Sequence, residues 1–281
     1  MHHSVSHHDE RLPASRRRNA PWRAGTAGGA ARLPALRPWP VWLILPILLT
    51  LLPMARARAA PELRIVVDGS TAMPMSQISN GVLTGGIHHA IGVALAGQLG
   101  TTARFTPLPR KRIGVTLEQG AADLVCHMLP AWLPGAFDWS VPFMPNATLL
   151  ISAVQWQAPV SLDDVRGVPV GTVLGFAYPE IQHALGAGFV RDDAVDALHS
   201  LTKFAAGRTR HALTGEVFFT YQQRLHPTLL QVHRPILVTR FNAQCAVSRR
   251  GRYSVQQVDA AIVRLQKSGR IEAIYASFKQ K

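Results

Sequence analysis

Acidic side chains are scarce in this 281-residue chain, with 16 Asp and Glu against 30 Lys and Arg. Much of the excess base sits at the start: residues 1–60 hold nine Arg and two acids, and from Pro61 onward 21 basic residues face 14 acidic ones. The remaining charge of roughly +7 suits an acidic ligand, an anionic membrane surface or an acidic partner. It does not mark a nucleic-acid binder. The basic residues are scattered, and no zinc finger, basic zipper or RNP-like string organises them.

Cysteine is nearly absent. Cys126 and Cys245 are the only two, so a thiolate zinc site and a disulfide scaffold are both excluded. Both lie in apolar, strand-like runs. The residues alone leave two readings open, a pair of buried free thiols or one disulfide in an oxidising compartment. Catalytic signatures are missing too: there is no Gly-x-Ser-x-Gly elbow, no His-Glu-x-x-His and no phosphate-cradling Gly-rich loop. No metal is expected either, because the adjacent His88 and His89 diverge on a helix. No cofactor is implied.

Long apolar runs are limited to one. Trp39 to Met54 (WPVWLILPILLTLLPM) is uncharged, short for a membrane span and interrupted by three prolines. It follows an Arg-rich stretch and precedes Ala55-Arg-Ala-Arg-Ala-Ala60. The three regions predict a secretory signal peptide cleaved near Ala59, which directs the mature chain to the periplasm. Residues 1–59 are therefore leader.

The rest of the chain alternates. Leu63 to Gly69 reads as a buried strand, and a turn-rich stretch with Asn80-Gly81 follows. Gly85 to Gly100 reads as a helix with Ile87, Ile91, Leu95 and Leu99 at helical spacing. Ala103–Leu108, Lys111–Gln119 and Asp123–Met128 continue as strand, helix and strand. This order predicts an α/β unit with a parallel sheet. Thr148 to Val154 leaves that unit as a strand. A second alternation starts at Ser161: strand Val168–Val173, a helix from Pro179, a short strand Phe189–Arg191, helix Asp196–Leu213 and strand Glu216–Tyr221. An extended stretch, Leu229 to Val247, then leads to two amphipathic helices carrying Val255, Val258, Ile262, Leu265 and then Ile271, Ile274, Phe278.

Several short strings in this order carry a likeness. They are Asn80-Gly-Val-Leu-Thr-Gly-Gly-Ile87, Leu117-Glu-Gln-Gly-Ala-Ala-Asp-Leu124, Asp138-Trp-Ser-Val-Pro-Phe143, Ser161-Leu-Asp-Asp-Val-Arg-Gly167, Cys245-Ala-Val-Ser-Arg-Arg250 and Val258–Leu265 with Ile271 and Ile274. Through them the chain resembles the bacterial extracellular solute-binding proteins of family 3, receptors of amino-acid-type ABC uptake systems. The resemblance implies a two-lobed periplasmic-binding-protein fold, type II-like, with two parallel-rich sheets joined by two hinge crossings. Lobe 1 would take residues 62–153 plus 240–281, and lobe 2 residues 157–238. The implied partners are a small polar solute and an inner-membrane permease, for a monomer that is not an enzyme. The family's strand order would also set the strands of Cys126 and Cys245 side by side. Two departures stand out. The Arg usual in Pro130–Ala136 is missing, and Glu216–Gln222 offers no clear equivalent of the usual second-lobe Asp.

Ligands of open parallel sheets sit beyond the carboxyl ends of the strands. That rule selects Asp68, Met73, Met75, His127, Trp132 and Trp139 in the first lobe, and Phe176, Tyr178, Tyr221 and Gln222 in the second. Arg112 is added as a cation for an anionic ligand. Backbone amides at the helix start near Gly175–Tyr178 are a further expected contact. A sensory or accessory module for a membrane signalling partner is the alternative function, followed by an exported enzyme on the same fold.

Overall fold

The computed structural model describes residues 61–279. The leader and its cleavage point near Ala59 lie outside the described residues. The chain begins with β1 (Glu62–Asp68), a hairpin of β2 (Gln77–Ser79) and β3 (Val82–Gly85), and α1 (Ile87–Gln98). It continues through β4 (Thr102–Leu108), α2 (Arg110–Glu118), β5 (Leu124–Met128), β6 (Phe137–Trp139) and β7 (Met144–Ser152). Next come β8 (Pro169–Val173), α3 (Pro179–Leu185), β9 (Val190–Ala194), α4 (Ala197–Ala205), β10 (His211–Gly215) and α5 (Glu216–Leu225). The long β11 (Ile236–Ser248) leads into α6 (Val255–Lys267) and α7 (Arg270–Lys279).

The strands pair in the order β4-β1-β5-β11-β7-β10-β8-β9, with β6 also on β11. At one end β1 lies parallel to β4 and β5. At the other, β8 lies parallel to β9 and β10. Between them β7 and β11 run antiparallel over Ile236–Ala243, and the last residues of β11 move on to pair with β5 and β6. These two strands are the crossings between two α/β lobes. The chain leaves the first lobe along β7, builds the second, and returns along β11 to finish the first with α6 and α7.

Each lobe covers both faces of its part of the sheet. Leu63, Ile65 and Val67 of β1 pack with α1, α6 and α7, while Val66 packs on the other face with Ile113 and Leu117 of α2. A strand sandwiched this way needs apolar residues on both faces, hence the unbroken Leu-Arg-Ile-Val-Val run in which only Arg64 is charged. In the second lobe, Leu201 and Phe204 of α4 and Phe218 of α5 share one cluster. Val170, Ile181 and Leu185 form another. The β2–β3 hairpin turns at Asn80 (φ 50°) and Gly81 (φ 75°), the left-handed pair an Asn-Gly turn supplies.

Two readings of local structure need correction. The helix expected from Asp196 to Leu213 ends at Ala205, and Gly207 with φ 70° turns the chain into β10. Ala212 and Leu213 are apolar because they are strand core rather than a helix face. The strand expected at Glu216–Tyr221 is the helix α5, burying Phe218, Phe219 and Gln222 at helical spacing. The aromatic run favoured β locally, and packing against β7 and β10 overrode that preference. Of the two readings left open for the cysteines, the structure takes the disulfide. Cys126 of β5 is bonded to Cys245 on the adjacent β11.

Candidate functional site: a closed cleft between the lobes

A cavity of about 110 Å³ lies at the carboxyl ends of β1, β5 and β8, walled by both lobes. The lobes touch around it. Ala197 N–H donates to the Ser70 carbonyl at 3.0 Å. The Gln222 amide donates to the Met73 carbonyl at 2.8 Å.

Asp68 ends β1 and is buried. One carboxylate oxygen accepts from Arg110 Nη1 at 2.9 Å and the other from Ser70 N–H at 2.9 Å. Arg110 opens α2 immediately after Pro109, so the β4–α2 turn delivers its side chain to the sheet's carboxyl edge. The guanidinium then reaches the second lobe, with its carbon 5.2 Å from the centre of the Phe176 ring. Arg110 Nε is buried and has no partner.

A hydroxyl relay runs beside Asp68. Thr71 Oγ1 lies 2.8 Å from the Asp68 carbonyl oxygen and 2.8 Å from Ser76 Oγ, and Ser76 Oγ lies 2.9 Å from His88 Nδ1. A carbonyl only accepts, so the single Thr71 proton goes to it. Ser76 must then donate to Thr71, and His88 Nδ1–H donates to Ser76. The tautomer follows: His88 Nε2 is a bare acceptor, and it is buried without a partner. Burial, opposed by the Asp68 charge, pushes the His88 pKa down to about 4.

His127 sits near the end of β5 with φ 62°, an uncommon left-handed conformation for a non-glycine. Its Nε2 lies 3.2 Å from Asn146 Nδ2. The Asn146 oxygen already accepts from the N–H groups of Ala147 and Val217, so the amide nitrogen donates and His127 Nε2 accepts. Burial, with the His88 and Arg110 charges adding to it, lowers its pKa to about 3. The ring neighbours Trp132 and Phe241, which meet edge to face at 4.8 Å. Trp132 Nε1 is another buried polar atom without a partner.

The second lobe contributes Phe176, Tyr178, Ser200 and Phe218 to the wall. The Tyr178 hydroxyl accepts from Val173 N–H at 3.1 Å, and burial pushes its pKa up to about 12. Ser200 Oγ is buried and unpartnered. The amides expected near Gly175–Tyr178 are partly engaged already, since Phe176 N–H donates to the Val173 carbonyl.

Of the residues selected from sequence, Asp68, Met75, His127, Trp132, Phe176 and Tyr178 line this cavity. The others lie elsewhere. Arg112 points outward from α2 and is exposed. Trp139 packs on Phe137 beneath the first lobe. Met73 and Gln222 form the inter-lobe hydrogen bond above. Tyr221 lines a second groove, of about 870 Å³, with Arg224 and Tyr275. Sequence reasoning missed Arg110, His88, Asn146, Ser200 and Phe241. The strand-end rule extended to β4 would have found Arg110, two residues past Leu108. Among the described residues, no three His, Cys, Asp or Glu side chains gather to hold a metal.

No protein-family model and no curated protein matches the chain. Solved structures do. An ancestral arginine-binding protein bound to arginine superposes with a TM-score of 0.64 at 20% identity, over 77% of this chain and 97% of its own. An amino acid ABC transporter substrate-binding protein, AbpA from Streptococcus pneumoniae, bound to L-arginine, gives 0.63 at 16%, over 78% and 94%. The ancestral amino acid-binding protein AncCDT-1, a precursor of cyclohexadienyl dehydratase, gives 0.64 at 19%, over 77% and 94%.

This is the two-lobed periplasmic-binding-protein fold.

The likeness covers nearly the whole length of those receptors. Among the described residues of this periplasmic-binding-protein fold, no helix is long and apolar enough to cross a membrane.

Proposed function

We propose that this protein is an exported solute receptor. It captures a small solute between lobe 1 (residues 62–153 and 240–281) and lobe 2 (residues 157–238), and delivers it to an inner-membrane ABC permease. The observation that carries this reading is the cleft itself. Side chains of both lobes line it, Asp68, His88, Arg110, His127 and Trp132 from one and Phe176, Tyr178 and Phe218 from the other. A cleft with polar and aromatic side chains from two lobes suits a small bound solute, and contacts to both lobes favour the closed form over the open one. The ligand set is Asp68, Arg110, His88, His127, Trp132, Phe176, Tyr178 and Ser200.

Binding is favoured over catalysis in this cleft. Both imidazoles are held neutral with pKa values of about 4 and 3, too low for an efficient base near neutral pH. The leader implies a periplasmic location, and the mature chain is taken as a monomer. Two measurements test the reading together. Native mass spectrometry of freshly purified mature protein should show a co-purified small molecule. Small-angle scattering after its removal should show an opened particle that closes when the molecule is returned. A ligand-free protein whose scattering never changes with any solute refutes the proposal.

A further inference from the structure

Among the described residues, Asp68 and Arg110 are the only side chains with a formal charge that line the cleft. They neutralise each other. Arg110 Nη1 donates to one Asp68 oxygen at 2.9 Å, and the other oxygen accepts from Ser70 N–H. Both side chains are withdrawn from water, with exposures of 2% for Asp68 and 9% for Arg110. Across the gap, the guanidinium carbon lies 5.2 Å from the centre of the Phe176 ring. The cleft's one cation is thus engaged by a carboxylate of its own lobe and an aromatic face of the other. His88 and His127 beside it are neutral.

An ion or a zwitterion enters such a space at a cost. Its ammonium would face a carboxylate already paired, and its carboxylate a guanidinium already balanced. A charge stripped of water without a counter-charge of its own is heavily penalised, and breaking the Asp68–Arg110 pair to supply one strands the other partner.

The remaining wall is rich in rings. Trp132 and Phe241 come from the first lobe, and Phe176, Tyr178 and Phe218 from the second. Aromatic side chains on both walls suit a ring held between them, through stacked and edge-to-face contacts. Size adds a limit. A dry cavity of about 150 Å³ binds benzene, so a space of about 110 Å³ takes one ring bearing little else.

Resting on the receptor reading above, we infer that the solute is an uncharged compound built on a single aromatic ring, held between the aromatic side chains of the two lobes rather than by ionic clamps. Closure then buries apolar surface on both sides of the ring, and the Asp68–Arg110 pair stays intact.

Isothermal titration of the mature protein at neutral pH, freed of co-purified solute, tests this with probes that share one ring. Phenol, benzyl alcohol and benzamide are set against benzoate, protonated benzylamine and phenylalanine. The best neutral probe should bind about tenfold or more tightly than all three charged ones. Phe176→Leu removes one ring and should weaken that probe about fivefold. Asp68→Asn leaves the Arg110 charge unbalanced and should shift preference toward benzoate; where that variant does not fold, the wild-type and Phe176→Leu titrations decide. A charged probe that binds the wild type within tenfold of the best neutral one overturns the inference and leaves the receptor reading standing. So does a Phe176→Leu protein with undiminished affinity, or 2-naphthol binding more tightly than phenol. If every probe is silent, the mass of the co-purified solute decides: a neutral single-ring compound supports the inference, and a charged or ringless one overturns it. Silence from every probe with no co-purified solute overturns both.

Discussion

Replacing Asp123 by Ala should be strongly destabilising, and it should leave ligand binding untouched. Asp123 immediately precedes β5 and is fully buried. One oxygen accepts from Arg64 N–H at 2.8 Å and Arg64 Nε at 3.1 Å, and the other from Arg64 Nη2 at 2.6 Å and Arg252 N–H at 2.9 Å. One carboxylate thus joins β1, β5 and the turn before α6, segments far apart in sequence. Burial pushes the carboxyl pKa up, but the Arg64 hydrogen bonds and the two backbone donors outweigh that and hold it below the ordinary value. Removing one partner of a buried pair costs about 3–5 kcal/mol. The Arg64 side chain is 22% exposed and recovers some hydration, so the lower end applies, about 3 kcal/mol. For a domain of this size that corresponds to a fall in Tm of about 6–12 °C. Thermal unfolding followed by circular dichroism measures it. Asp123→Asn, which keeps the shape and one acceptor, should fall between. The residue lies at the amino end of β5 and the cleft at the carboxyl end, so affinity for any bound solute should be unchanged. A loss below about 1 kcal/mol, within the range of an ordinary surface change, refutes the reasoning. So does a loss of affinity in protein that remains folded.

Three further outcomes follow from packing, pH and cross-linking. A Cβ on Gly92 of α1 would sit 2.4 Å from Phe105 Cε1 and 2.8 Å from Ile65 Cδ1. Gly92→Ala should therefore destabilise by about 1–2 kcal/mol despite its better helix propensity, as read from the urea midpoint. His88 and His127 titrate low in the folded protein, at about 4 and 3, and near 6.5 when unfolded. Their stabilising contribution is complete above about pH 6.5 and declines as the pH falls, because the unfolded chain then binds protons the native state refuses; at about pH 5 each has lost up to about 2 kcal/mol. Replacing both with Gln should flatten that slope in urea titrations run across the range. The Cys126–Cys245 bond spans 119 residues. The Ser/Ser double variant should lose about 5 kcal/mol on the chain-entropy account, measured as a shift of the same midpoint.

The alternation of strands and helices was legible in the sequence because local periodicity follows from burial on one face or two. The unbroken apolar β1 announced a covered parallel sheet, and Asn80-Gly81 announced a hairpin turn. The strand-end rule carried Asp68, His127, Trp132 and Tyr178 to the cavity wall. It failed at Glu216–Tyr221, where a short aromatic run fits strand and helix alike, and only packing against β7 and β10 decides. The separate choice of Arg112 as a cation for an anionic ligand also missed, since Arg112 is exposed. Two arginines flank Lys111, and which one faces the cleft depends on where α2 begins.

What the residues alone determined is the order of elements, the two-lobed architecture implied by the motif strings, and the shortage of acids. These are local or compositional properties, written into each segment by its own spacing. The tertiary structure decided everything that depends on distance between segments. It bonded Cys126 to Cys245 across neighbouring strands, tied Asp68 to Arg110, and placed one proton on His88 Nδ1 through a relay from Thr71. It also brought side chains of both lobes to line one cavity. No window of sequence contains those facts, because each joins residues that the chain brings together only after it has returned along β11 to complete its first lobe.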